Sequence, residues 1–159
     1  AGVSGVYMEQ LYTFDALDRD PRGPVFSVTY FALVPEKEMV ISETDTTETP
    51  HFAPAHHLPK LAFDHNEIIK VARGRLRSKI AYTNAVFSLL PDTFTLAELH
   101  KTYGAILGRV IDRRNFNRKL KSLNLITATG EKTVGGKHRP GALYRFIKRE
   151  IEFLAEPLV

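Results

Sequence analysis

Two amphipathic helices joined by a short glycine-containing turn, with a glycine-bearing hairpin behind them, constrain this chain more than any other feature. Residues 95–108 (TLAELHKTYGAILG) place Leu96, Leu99, Tyr103, Ile106 and Leu107 on one helical face. Thr95 and Glu98 occupy the N-cap and N3 positions of a capping box, which starts that helix. Gly108 ends it, Arg109, Val110 and Ile111 make the turn, and Asp112 caps the next helix. In DRRNFNRKLKSL, residues 112–123, Phe116, Leu120 and Leu123 recur at i, i+4 and i+7 and face a core. Helix, short turn, basic helix is the order of a helix-turn-helix.

The outward face of that second helix is cationic. Arg114, Arg118 and Lys121 fall opposite the apolar stripe, with Asn117 and Ser122 beside them. Arg113 and Lys119 lie on the flanks, where long stems can cover apolar surface. A merely solvated helix interleaves Glu with Lys, and this one does not. On this stretch alone, a solvated basic helix remains the competing reading. The next segment of the chain, LITATGEKTVGGKHRPGALYRF, reads as two strands around a tip carrying Lys132, Lys137, His138 and Arg139. Gly135 and Gly136 would let this tip approach a duplex closely. Alone the tip reads equally well as a flexible hairpin; after a basic helix it reads as a wing. Double-stranded DNA is the partner expected. Arg114 and Arg118 suit guanine, Asn115 or Asn117 suits adenine, and Arg113 joins the same surface. Lys121 and the wing cations suit phosphates.

Charge divides the chain. Residues 1–62 hold 4 basic and 9 acidic side chains, a net of −5, and residues 63–159 hold 18 and 9, a net of +9. Two domains are therefore expected, at 1–62 and 63–159, the second suited to a polyanion. There is no cysteine, which excludes disulfides, thiolate metal sites and thiol nucleophiles and fits a cytoplasmic location. No apolar run approaches roughly eighteen residues, so no membrane span is expected.

Within the acidic half, residues 6–14 (VYMEQLYTF) and 25–34 (VFSVTYFALV) read as strands flanking a loop, DALDRDPRGP. A polar, threonine-rich connection occupies 35–50. Two strands alone cannot bury a stable core, so this half is expected to pair with further residues or a partner. His51, His56, His57 and His65 gather near Asp64, but their spacing matches no zinc motif and Pro54 and Pro59 interrupt them. Metal is not expected. Asp64 instead suits the N-cap of a helix over 64–82, with Glu67 at N3. Lys70, Arg73, Arg75, Arg77 and Lys79 spread around that helix, as a solubilising set or as phosphate contacts. At the other end Ile147, Ile151 and Leu154 recur at i, i+4 and i+7, to pack on their own domain or on a second subunit.

The stretch MEQLYTFDALDRDPRGPVFSVTYFALVP, with HHLPKLAFDHNEII after it, resembles the Nudix-like domain of the Nudix-related transcriptional regulator family. DRDPRG and LAFDH at this separation carry the resemblance, and the basic half matches the family's DNA-binding half. The resemblance implies an α+β chain: part of a Nudix-like β-sheet region, then a winged helix-turn-helix. It also implies a regulator, expected to be a repressor, of NAD-metabolism genes. Such a regulator would bind a palindromic operator as a homodimer and answer to a nucleotide such as ADP-ribose. Arg19 and Arg22 then become phosphate contacts, and Tyr12 or Phe14 stacks on a base; the plainer reading makes them surface charge and sheet packing. The family's Nudix box, whose glutamates hold divalent metal, would precede the first strand. AGVSGVYMEQ resembles its final turn, so the chain is expected to be a C-terminal fragment with no cofactor and no hydrolase activity. A Nudix-type ADP-ribose or nucleoside-diphosphate hydrolase with an accessory basic domain is the enzymatic alternative. An RNA-binding or protein-interaction winged helix is a third.

Overall fold

The computed structural model describes residues 7–35, 39, 51–134 and 140–159. The chain is of mixed α+β type and divides into two compact units, Ala1–Arg75 and Leu76–Val159.

In the first unit, β1 (Tyr7–Phe14) and β2 (Ser27–Leu33) pair antiparallel, from Tyr7 opposite Leu33 to Phe14 opposite Ser27. A register shift between Gln10 and Tyr12 leaves Leu11 as the extra residue of a bulge, and Leu11 is buried. The same ribbon leaves Met8, Tyr12, Val28 and Tyr30 exposed. Its loop is pinned by charge. Arg22 grips Asp20, with Nη2 2.7 Å from one carboxylate oxygen, and the Arg22 backbone N–H donates to that carboxylate at 2.9 Å. Most of the polar connection at 35–50 lies outside the described residues.

Helix α1 (His65–Tyr82) starts one residue after Asp64, whose carbonyl accepts from the backbone N–H groups of Glu67 and Ile68. The Asp64 carboxylate, expected to cap this helix, is engaged elsewhere. It takes Arg19 bidentately, Nε at 2.8 Å and Nη2 at 3.0 Å. The guanidinium brings a full positive charge and two parallel bonds, where a backbone N–H at the cap would bring one bond and only a partial charge, which is why the arginine wins. Of the α1 cations, Lys70 pairs with Glu67, Arg75 donates to Glu9 and the Leu11 carbonyl, and Arg77 donates to the Ile106 carbonyl.

The second unit has the expected order. A 3-10 helix (Ala85–Leu89) leads to β3 (Phe94–Thr95), α2 (Leu96–Leu107), α3 (Arg113–Ser122), β4 (Ile126–Lys132) and β5 (Ala142–Phe146). The strands form an antiparallel sheet of order β3-β5-β4. Thr95 and Glu98 make the capping box at α2 as expected. Ile80, Phe94, Leu99, Tyr103, Phe116 and Leu120 form the centre of one core, each at most 1% exposed.

The tail departs from its helical spacing: residues 147–159 form no helix. The buried carboxamide of Asn84 takes the tail's backbone instead. Nδ2 donates to the Glu150 carbonyl at 2.9 Å, and Oδ1 accepts from the Glu152 N–H at 2.8 Å. Leu154 N–H donates to the Tyr82 carbonyl, and Leu158 enters the core at 2% exposure. A buried amide left unpaired is costly, so Asn84 specifies an extended partner rather than a helix. The tail packs on its own unit.

Two glycines separate backbone strain from backbone entropy. Gly108 caps α2 at φ +67°, where an added Cβ would also lie 3.1 Å from Arg77 Nη2. Gly74 sits exposed inside α1 with nothing within 4 Å of such a Cβ. Gly108→Ala is expected to lower the unfolding free energy by about 1–2 kcal/mol. Gly74→Ala is expected to raise it by about 0.5–1 kcal/mol. Urea titrations of the two variants against the parent check both signs.

Candidate nucleic-acid interface

The interface is set by how α3 is held. Its N-terminus is capped by Asp112, whose carboxylate accepts from the Asn115 N–H at 2.7 Å. Phe116 and Leu120 are buried, and Phe116 lies edge-on between Tyr103 and His100, with ring centroids 5.1 Å and 5.4 Å away. His100 Nε2 donates to the Ile111 carbonyl at 2.9 Å, fastening the turn to α2. Burial pushes the Tyr103 phenol pKa upward, so that ring stays neutral in the core.

With that side fixed, the opposite side is presented to solvent. Arg113, Arg114, Asn115, Arg118 and Lys121 are all exposed. Arg113, Arg114 and Lys121 have no acidic partner among the described residues. Arg118 is oriented by Asn115, its Nη2 donating to the amide oxygen at 2.7 Å. Asn115 is thus already engaged by a neighbour on its own helix. Asn117 is only partly exposed, and its Oδ1 is buried without a partner. Lys119, read as a flank residue, donates to the Pro157 carbonyl at 2.7 Å and belongs to the tail's anchorage.

On the hairpin, Lys132 is exposed at the end of β4. Lys137, His138 and Arg139, with Gly135 and Gly136, lie outside the described residues. Arg145, exposed on β5 opposite Thr127, is a cation that the sequence pattern did not single out. The signal was there: it alternates with Tyr144 and the buried Phe146, which turns it to the free face.

In the first unit, Tyr12, Phe14, Asp15, Asp18, Arg19 and Phe63 line an open cleft of about 700 Å³ together with Ala16, Pro21, Asp64 and Glu67. Tyr12 is exposed and meets Phe14 edge-on at 5.3 Å. Arg19, expected at a phosphate, has a side chain only 7% exposed and spends three donors on Asp64 and the Ser27 hydroxyl. Arg22, the other expected phosphate contact, is exposed and tied to Asp20 while its guanidinium lies 5.4 Å from the Phe63 ring centre. No group of three or more His, Asp or Glu among the described residues is placed to hold a metal ion. No helix among them is long and apolar enough to cross a membrane.

A capped helix-turn-helix with a basic outer face, leading into an antiparallel hairpin, defines a winged helix domain. Residues 86–146 match the NrtR DNA-binding winged helix domain. Over 154 residues the chain is 35% identical to the ADPR responsive transcriptional repressor NtrR of Acinetobacter baylyi, covering 96% of this chain and 61% of that protein. The crystal structure of Shewanella oneidensis NrtR is similar with a TM-score of 0.71 at 34% identity, covering 88% of this chain and 64% of that one. The same protein complexed with a 27mer DNA gives 0.70, with the same identity and coverage. A MutT/nudix family protein from Enterococcus faecalis gives 0.64 at 28% identity, covering 89% and 62%. A 60-residue stretch is 40% identical to an ADP-ribose pyrophosphatase of Methanocaldococcus jannaschii, 38% of this chain and 34% of that protein. The chain is similar to members of the Nudix-related transcriptional regulator family, and it spans less than two thirds of the length of these relatives.

The paired carboxylates of the first unit give it a defined acid response. Hydrogen bonds from Arg22 hold the Asp20 carboxyl at about 2, and the Arg19 guanidinium lowers that of Asp64 below its ordinary 3.8. Depressed values stabilise the folded state above the unfolded carboxylate range, and that stability is lost as pH falls through the folded values. Residues 7–35 should keep their amide-exchange protection down to about pH 4 and lose it progressively toward about pH 2. Asp64→Asn should flatten that decline. Hydrogen exchange across a pH series measures it.

Proposed function

We propose that this chain is the DNA-reading and part of the effector-sensing portion of a transcriptional repressor of NAD-metabolism genes. In this reading, residues 63–159 bind double-stranded DNA and residues 1–62 contribute to a site for a nucleotide such as ADP-ribose. The observation that carries it is α3: four cations on an exposed face free of acids, on a helix rigidly seated by Phe116 and Leu120. The names of the relatives support both partners, one being an ADPR responsive repressor and another a protein crystallised on a 27mer DNA.

Arg114 and Arg118 are the base readers in this proposal, suited to guanine O6 and N7. Arg113, Lys121, Lys132 and Arg145 take phosphates, joined by Lys137, His138 and Arg139 of the tip. A palindromic operator read by a homodimer fits the geometry of helix-turn-helix recognition. A DNA partner and the lack of cysteine suit the cytoplasm. Repression by differential ligand affinity for DNA-competent and incompetent states accounts for control without chemistry, so we propose a regulator and not an enzyme. The likeness of one stretch to an ADP-ribose pyrophosphatase favours a second reading, a Nudix-type hydrolase with an accessory basic domain.

Fluorescence anisotropy on duplexes from NAD-biosynthesis promoters, beside a scrambled duplex and across a salt series, tests the regulator. Selectivity on the order of 10³-fold or more that persists as salt rises is the expected result. Equal binding to both, falling together with salt, would leave only a basic surface gripping phosphates. Arg114→Ala should cost about 1–3 kcal/mol on the cognate duplex and relax specificity at one base pair. Lys121→Ala should weaken all duplexes alike and lower the salt slope by about one.

A further inference from the structure

We propose that α3 reads only the hydrogen-bond acceptors of the major groove, guanine N7 and O6 above all, and ignores the amino group of adenine. This rests on the DNA-binding reading above and deepens it by giving the part of a base pair that the helix recognises. It also withdraws Asn115 and Asn117 from the adenine contacts that their residue type suggests.

An asparagine recognises adenine through both ends of its amide: Nδ2 donates to N7 while Oδ1 accepts from the N6 amino group. On α3 neither oxygen is available for this. The Asn115 oxygen is taken by Arg118, whose Nη2 donates to it at 2.7 Å. A guanidinium can only donate, so this contact fixes which end of the Asn115 amide is the oxygen. That oxygen keeps a second lone pair, but an amino group brought to it would lie beside the positive charge of Arg118. The Asn117 oxygen is buried without a partner. Turning that amide over would leave two buried donors unsatisfied in its place, so the oxygen stays inward.

The rest of the exposed helix donates. Arg113, Arg114, Arg118 and Lys121 are exposed, and arginine and lysine carry donors but no acceptor. Lys119 donates inward, to the Pro157 carbonyl. Side-chain acceptors remain at the two ends of the helix. One is the Asp112 carboxylate, which holds the Asn115 N–H at 2.7 Å; the other is the Ser122 hydroxyl, which donates to the Lys119 carbonyl at 2.9 Å. Between them α3 is a surface of donors. Guanine alone has two adjacent acceptors on its major-groove edge, and a guanidinium fork fits both. Adenine N7 and thymine O4 offer one each, whereas adenine N6 and cytosine N4 are donors that find nothing to accept them. Asn115 takes one N–H of Arg118 and leaves the others for a base, so it acts as a positioning residue for that guanidinium.

The test is fluorescence anisotropy of this chain on the tightest-binding promoter duplex, with single base analogues placed through it. 7-Deazaguanine, which lacks N7, should weaken binding about tenfold at one or more guanines. 2′-Deoxynebularine, which keeps N7 but lacks the N6 amino group, should leave affinity within about twofold at every adenine. Asn115→Ala and Arg118→Ala should each blunt the 7-deazaguanine effect at the same guanine, a readout that a change in helix stability would not move. The double variant should bind no more weakly than Arg118→Ala alone. A loss of about tenfold with 2′-deoxynebularine at any adenine would overturn the proposal. So would an Asn115→Ala variant that relaxes the preference for an adenine. Selective binding with no 7-deazaguanine effect at any guanine would overturn it too, and leave the regulator standing. No selectivity for any duplex would remove the regulator, and this recognition mode with it.

Discussion

The edge-on seating of Phe116 between Tyr103 and His100 is the contact on which the exposed cationic surface of α3 depends. Phe116 is 1% exposed, and burying a ring of that size is worth about 1.5–3 kcal/mol. The same histidine donates to the Ile111 carbonyl, so one side chain holds both the turn and the helix beyond it. Fixing α3 in this way leaves a helix whose backbone needs little further ordering to engage a partner. Gly108 completes the device, because only a left-handed residue brings the chain out of α2 in time for Asp112 to cap α3.

Arginine serves two separate purposes in this molecule. In the first unit Arg19, Arg22 and Arg75 each grip a carboxylate and so act as structural ties. In the second, Arg77 donates to the Ile106 carbonyl, and Arg149 donates to those of Phe87, Leu90 and Pro91. Arg113 and Arg114 remain without such partners among the described residues and face solvent. A cation already satisfied within the protein has less to offer a polyanion, whereas a solvated one can take a phosphate and release its counterions. Formal charge per domain therefore overstates the binding surface of the basic half.

Much of the second unit was legible in the sequence because its signals are local. The capping box at Thr95 and Glu98, the left-handed Gly108, the Asp112 cap and the Phe116–Leu120–Leu123 stripe all act within a few residues. The helical spacing of the tail misleads because it competes with Asn84, some seventy positions away, whose need for partners no local pattern reveals. Asp64 misleads for the same reason. Its sequence neighbours suit a cap, yet Arg19 lies forty-five positions earlier and brings a stronger bond.

By itself, then, the sequence determined where α2 and α3 start and stop, which face of each is apolar, and that cations crowd the outer side of α3. Those are consequences of backbone hydrogen bonding and of a 3.6-residue period, and neighbours suffice to set them. Only the tertiary structure decided which charges are free. Whether an arginine meets a carboxylate depends on residues brought together by folding, as Arg19 meets Asp64 and Arg75 meets Glu9. The aromatic cleft is likewise made by Tyr12 and Phe63, fifty-one positions apart, and a cleft is a property of packing that no local stretch of sequence contains.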